Sequence, residues 1–255
     1  EHGQIGVKEG PMMASPDTFF ITIRGKGGHA AKPEQTVDPI PVAAQIVMAL
    51  QTIVSRTVDP IEPAVVSVTQ FHSGTTHNVI PEKAKLVGTV RTFNKELRRR
   101  IPEEMERIVK GITEAHRASY EFAWQDGYRP VVNDPAVTAR VSEVARRLFG
   151  EERVVTMPPN MGGEDFSAFM EKAPGTFFYT GAGNSARGMA GPHHHPKFDI
   201  DETSLDLSLR LFIGVAIDVL GAGAAYTQVE HIRRSTPTRL TDETGAAGYA
   251  HVALQ

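Results

Sequence analysis

DTFFITIRGKGGHAAKPEQTVDPIPVAAQIVMALQTIVSR, residues 17–56, changes its period once, and that change decides the fold. Phe19, Ile21 and Ile23 alternate with Thr22 and Arg24, the two-residue period of a half-buried strand. A glycine-rich loop, GKGGHAAKPEQT, interrupts it. Asp38 and Pro39 then have the chemistry of an N-cap and a first helical turn. Behind them an apolar helix runs to about Arg56, with Ile40, Ala43, Val47 and Val54 on one face. Ile46, Leu50 and Ile53 widen that face, so burial on more than one side is expected.

Downstream, AVVSVTQF (64–71) and KAKLVGTVRTF (83–93) read as strands. Asn94 caps a helix through Leu97, Ile101, Met105, Ile108 and Ile112, although Pro102 interrupts it and moves its expected start as late as residue 102. SYEFAWQ (119–125) is a fourth strand. The order β-α-β-β-α-β is the split βαβ, or ferredoxin-like, arrangement. Such a sheet, with both helices on one face, leaves its other face and its edges to a partner.

Past Pro130 the rhythm changes. Asp134 and Pro135 open a helix through Val137, Val141, Val144 and Leu148, closed by Gly150. RVVTM reads as a short strand, MGGEDFSAFM as a turn entering a helix, and GTFFYTGAG as a buried strand. Asp201 caps a long helix with Leu205, Leu209, Ile213, Ala216 and Leu220 on one side. Two or three strands are too few for an independent sheet of this type, so this half is expected to need more chain. Residues 222–255, rich in Ala, Gly and Thr with weak periodicity, read as a loosely ordered tail.

The 255 residues are 40% apolar and 22% charged, a globular composition. A net charge of −3 argues against nucleic acid as a partner. The count of Cys 0 removes disulfides, thiolate zinc sites and cysteine nucleophiles. No run approaches the 18 apolar residues of a membrane span, and EHGQIGVKEG is not a signal peptide. The first residue is not Met, so the expectation is a chain processed, truncated or cut from a longer one.

Four groups of residues could carry chemistry. Gly25, Gly27 and Ala30 match G-x-G-x-x-A, but Lys32-Pro33 follows instead of a helix, and no acidic residue stands about 20 positions on. The same loop presents His29, a residue type that in a loop is ordinarily just polar surface. SGTTHNVIPEK (73–83) holds Asn78, whose amide can both donate and accept, within a stretch of turn formers. PHHHPKF sets His193, His194 and His195 in a loop; imidazole is a frequent zinc ligand, but adjacent histidines point apart, so one loop supplies about one ligand. Glu164 and Asp165 of GGED stand at a helix start, where carboxylates often act only as caps. Arg91, in GTVRTF, carries a planar fork suited to a carboxylate.

Taken in order, GPMMASPDTFFITIRGKGGHAAKPEQTVDPI, GTTHNVIP, GTVRTF, MGGEDFSAF and HHHPKFDIDE resemble the metal-dependent amidohydrolase and carboxypeptidase family of aminoacylase, hippurate hydrolase and indole-acetyl-amino-acid hydrolase. The resemblance covers about residues 3–220. It implies an α/β fold in which a ferredoxin-like lid, also the dimerisation domain, is inserted in an α/β metallopeptidase catalytic domain, here incomplete. The divisions expected are 1–16, the end of an N-terminal catalytic segment; 17–127, the lid; 128–221, the C-terminal part of the catalytic domain; and 222–255, the tail.

The resemblance also implies roles. His29 matches the lid histidine that stabilises the oxyanion, often in the partner subunit's site. Asn78 and, more weakly, Arg91 match substrate-binding residues; Glu164 lies in the turn lining the pocket; His194 matches the final metal-ligand histidine. The family's C-G-H-D segment and Glu-Glu pair, which supply the general base and most ligands, are expected before residue 1. His2 stands too close to GQIGV to match the family's remaining histidine. The implied whole is a cytoplasmic homodimer, without nucleic-acid or membrane partners. It would use a divalent metal (zinc, with manganese or cobalt as substitutes) to hydrolyse amide bonds of N-acyl amino acids, this chain alone being inactive. The competing reading is a non-enzymatic dimerisation module that has lost the catalytic half.

Overall fold

The computed structural model describes residues 2–189 and 191–221; the expected tail at 222–255 lies outside the described residues. In chain order the elements are β1 (Ile5–Val7), β2 (Gly10–Met13), β3 (Ser15–Arg24), β4 (Gly28–His29), α1 (Pro39–Thr52), β5 (Ala64–Ser73), β6 (Val79–Ile80), β7 (Lys83–Thr92), α2 (Lys95–Ala115), β8 (Ser119–Gln125), β9 (Val131–Asn133), α3 (Pro135–Phe149), β10 (Val154–Thr156), β11 (Tyr179–Thr180) and α4 (Thr203–Val219). The fold is mixed α/β.

β5, β7, β3 and β8 form, in that spatial order, one antiparallel sheet. β3 and β7 pair along their whole length, from Ser15 opposite Thr92 to Arg24 opposite Lys83. The alternation read from residues 17–24 holds: Phe19, Ile21 and Ile23 are buried under α1 and α2, with Leu86 and Val90 beside them. The spatial order is that of the split βαβ arrangement. The opposite face, carrying Thr22, Lys85 and Arg91, meets neither helix.

Asp38 caps α1 as expected, its Oδ1 accepting from the Ile40 N–H at 2.9 Å. Burial on more than one side is not found. Val42, Ala43, Ile46, Leu50 and Ile53 lie on the sheet, while Ile40 is 40% and Met48 71% exposed. The helix packs on the sheet and beside α2, and among the described residues its outer side stays uncovered. Continued through a π turn, Pro39–Thr57 has the length and mean hydropathy (1.2) of a membrane-crossing helix; its apolar row instead forms the core of this sheet.

α2 corrects a second expectation. It starts at Lys95, with Asn94 Oδ1 accepting from the Glu96 and Leu97 N–H groups, and runs straight through Pro102. Leu97 and Ile101, both before or beside the proline, are buried with Met105 and Val109. Burying those side chains outweighs the one helical hydrogen bond that proline removes.

The remaining elements build a smaller layer. β1 lies between β10, to which it is parallel, and β11, to which it is antiparallel, with α3 and α4 packed on it through Ile5, Val144, Leu148 and Leu211. β2 and β9 pair antiparallel, so the strands leading into and out of the four-stranded sheet unit run side by side. Buried Asn133 fastens this crossing: its Nδ2 donates to the Lys8 and Phe177 carbonyls, both at 2.8 Å, and its Oδ1 accepts from the Phe177 N–H at 2.7 Å.

Three local readings of this half change. The helix expected after GGED is a 3-10 helix, Asp165–Glu171. The buried strand expected in GTFFYTGAG shrinks to Tyr179–Thr180, half-buried. α4 buries Ser204, Leu207, Arg210, Leu211 and Gly214. The stripe expected to unite its apolar side is largely outward, with Leu205 57%, Leu209 55% and Leu220 80% exposed.

Candidate functional site

The residues singled out above fall into three groups. The first is a ledge at the edge of the sheet unit. β4 pairs with β6, setting His29 opposite Val79, and the Ala30 N–H donates to the Asn78 carbonyl at 3.1 Å. The structure thus brings His29 and Asn78, 49 positions apart, onto one exposed ribbon. The Ala31 N–H donates to His29 Nδ1 at 3.0 Å. A ring nitrogen that accepts cannot carry the proton, so neutral His29 is protonated on Nε2 and presents a donor outward. The Asn78 side chain accepts from the Thr76 hydroxyl at 3.2 Å.

The second group gathers where the two layers meet. Arg91, on the helix-free face of β7, lies opposite Pro16 of β3. Pro16 in turn presses on the GGED turn: a Cβ on Gly163 would come within 2.5 Å of Pro16 Cγ, so only glycine allows this approach. The Ala14 N–H donates to the Gly162 carbonyl at 2.9 Å. Arg91 and Glu164 therefore flank one junction. Burial lowers the Arg91 pKa, partly offset by the charge of Asp17. The Arg91 guanidinium bonds Thr89 Oγ1 and the Val90 carbonyl. Glu164 caps the 3-10 helix through the Phe166 N–H. Burial, with a hydrogen bond from Asp165, raises its pKa above the ordinary carboxylate range.

Asn160 and Tyr179, which nothing in the sequence pattern distinguished, stand in this same junction. Asn160 donates to the Tyr179 hydroxyl at 2.6 Å and accepts from the Gly162 N–H at 2.7 Å. The available signal was the Asn in PPNMGGED, a residue type that bonds its own backbone two positions on.

The third group is the histidine loop. His193 packs edge-on against Phe198, with centroids 5.0 Å apart. His195 Nδ1 accepts from the Lys197 N–H at 3.1 Å. His194 has a left-handed backbone, φ 65°, and is exposed. Behind the loop, Asp201 receives Asn184 Nδ2 at 2.7 Å, Arg187 Nη1 at 3.0 Å and Thr203 Oγ1 at 2.7 Å. These donors hold its pKa below the usual range. Expected from sequence to cap α4, Asp201 stands one residue before the actual N-cap, Glu202, and instead ties both ends of the histidine-bearing segment together.

No hydrogen bond or ion pair joins the three groups to one another among the described residues. Nor do three His, Cys, Asp or Glu side chains converge there as a metal site would need. With His194 as one donor, the described residues do not fit a complete metal centre.

Residues 2–217 match the family model described as Peptidase family M20/M25/M40. The chain is 44% identical over 218 residues to the N-acetylcysteine deacetylase of Bacillus subtilis, covering 86% of this chain and 56% of the relative. It is 64% identical over 133 residues to the N-acyl-L-amino acid amidohydrolase of Geobacillus stearothermophilus, 52% of this chain and 36% of that one. Among solved structures it is similar to the Bacillus subtilis YXEP protein, described as a dinuclear metal binding peptidase from the M20 family. The TM-score is 0.69 at 40% identity, over 86% of this chain and 54% of that one. The chain spans about half the length of the first two curated relatives it matches at 42–44% identity. A family model matched along most of the described residues, on a fold shared with a solved member, establishes that this chain belongs to the M20/M25/M40 peptidase family.

Proposed function

We propose that this chain supplies the lid and the C-terminal catalytic portion of a hydrolase that cleaves amide bonds in N-acyl amino acids. The observation that carries the reading is the His29 tautomer: an exposed histidine whose Nδ1 is occupied by a backbone N–H, so that Nε2–H faces outward as a donor. A developing oxyanion needs such a donor, already oriented before the reaction. Asn78, fixed beside it, and Arg91 hold the substrate carboxylate; burial strengthens a guanidinium–carboxylate contact by excluding water. Glu164, disfavoured as an anion by burial, lines the pocket at the junction.

A divalent metal belongs to this reading, with His194 as the chain's own ligand. The histidine loop supports that choice over its neighbour. His195 Nδ1 already accepts an N–H, which leaves Nε2 protonated, whereas His194 spends neither ring nitrogen among the described residues. The other ligands and the general base lie outside the described residues, so the chain by itself is expected to be inactive. The sheet unit, 17–127, is also proposed as the homodimer contact, since among the described residues its outer strands β5 and β8 each have an unpaired edge.

The test is a chimera. The part of Bacillus subtilis N-acetylcysteine deacetylase that this chain does not match is placed upstream of residues 3–221. With zinc, manganese or cobalt it is expected to hydrolyse N-acetyl amino acids, and residues 1–255 alone are not. His29→Ala in the chimera should lower kcat by about 10²–10³-fold. Robust metal-dependent turnover by 1–255 alone would contradict the division of labour; unchanged kcat in the variant would remove His29 from the mechanism.

A further inference from the structure

Asn160 and Tyr179 hold chemistry that the roles above do not use. The Gly162 N–H lies 2.7 Å from Asn160 Oδ1. A backbone N–H can only donate, so this bond fixes which end of the amide is oxygen. Nδ2 is then the end 2.6 Å from the Tyr179 hydroxyl, and the amide must donate to the phenol oxygen. The phenol's own proton is left over. Among the described residues Tyr179 has no second polar partner.

The ring is held firmly. It meets Phe177 edge-on, centroids 5.3 Å apart, and packs against the buried cluster of Met12, Met13 and Val131. Its backbone pairs with Gly6 in the sheet. Burial and the nearby Glu164 charge push the phenol's pKa up, while Asn160 pulls the other way, so it stays protonated at neutral pH. A fixed phenol with an unspent O–H is a hydrogen-bond donor waiting for an acceptor.

We propose that Tyr179 donates to the acyl carbonyl oxygen of the bound amide, with Asn160 as its positioning residue. This rests on the amidohydrolase reading above. Charge selects the acceptor. Glu164 and Asp165 stand at this junction, so a substrate carboxylate placed at the phenol would meet like charge; a neutral carbonyl oxygen does not. The carboxylate is served by Arg91, across Pro16 from the same turn. Its part is the ground-state carbonyl of the bound amide; the charge that develops on that oxygen during the reaction is left to His29.

The experiment measures binding of hippurate and of its thioamide counterpart to residues 1–255 by ligand-detected NMR or calorimetry. Wild type is expected to prefer hippurate about three- to tenfold, since sulfur accepts hydrogen bonds poorly. Tyr179→Phe should bind the two alike. Asn160→Asp keeps the phenol but turns its partner into an acceptor, which consumes the proton; it should lose the preference too. That second variant separates donation from a merely structural role and serves if the first does not fold. Arg91→Ala should weaken both ligands equally and leave their ratio intact. An unchanged ratio in Tyr179→Phe or in Asn160→Asp overturns the proposal while leaving the amidohydrolase reading standing. A wild-type chain that binds neither ligand overturns the proposal together with the substrate-binding roles of Asn78 and Arg91, whereas the hydrolase reading is decided by the chimera.

Discussion

At the scale of the residue, Asp201 shows how much one side chain can organise. It is 2% exposed, and its donors come from both sides of the histidine loop. The Thr203 hydroxyl gives its proton to Asp201, so its oxygen is free to accept from His2 Nε2, 2.8 Å away. With its folded pKa depressed, Asp201 favours the native state while ionised. The unfolded chain then binds the proton more readily, so stability rises with pH through this range and is lost as pH falls below about 4. Asp201→Asn should lower the urea midpoint at pH 7 and flatten its decline between about pH 4 and lower values. A variant that keeps the wild-type slope would show that other carboxylates carry the acid sensitivity. Caps were legible at this scale: Asp38 and Asn94 bond the N–H groups their positions call for.

At the scale of the element, α4 separates periodicity from packing. The helix is apolar nearly all round, so the rows through Leu205 and Leu209 and through Leu207 and Leu211 have equal claim to the core. Contact with α3 decides. A Cβ at Gly214 would come 2.7 Å from Leu148 Cδ1, so glycine lets that side alone approach. Leu211→Ala should cost about 2–5 kcal/mol in urea unfolding, the range for a buried leucine. Leu205→Ser, on the outward row, should stay within about 0.5 kcal/mol. Equal losses would put both rows in the core. α2 makes the complementary point. Its register was readable, but whether Pro102 begins it or interrupts it depended on Leu97 and Ile101 finding the sheet.

At the scale of the whole molecule, one ion pair stands where the chain passes between its two layers. Arg98 bonds Asp17 with both Nε, at 2.8 Å, and Nη2, at 2.6 Å, and also donates to the Gly127 carbonyl at 3.0 Å. The Gly127 N–H returns to Asp17 Oδ1 at 2.9 Å. The first strand of the sheet unit, its second helix and the segment leaving its last strand are thus clamped together. Pro16, next in sequence to Asp17, touches the GGED turn. The clamp therefore also bears on how β3 sits against that turn. Arg98→Met strands the fully buried Asp17 carboxylate and should destabilise the chain by about 3 kcal/mol, read as a shift in urea midpoint. A loss below about 1 kcal/mol would mean that Asp17 finds another partner or neutralises.

The sequence alone determined the order of strands and helices in residues 17–125, their caps, and the motifs that carry the family. Each depends on neighbours within about four residues, or on wording that needs no coordinates. It did not determine which row of α4 is buried, that Asn160 orients Tyr179, or that Asp201 gathers Asn184 and Arg187. Those partners lie 19, 17 and 14 positions apart, and the clamp at Asp17 and Gly127 spans 110. Only packing brings such groups within hydrogen-bond reach. A local period records which side chains share a face, not which face another element covers.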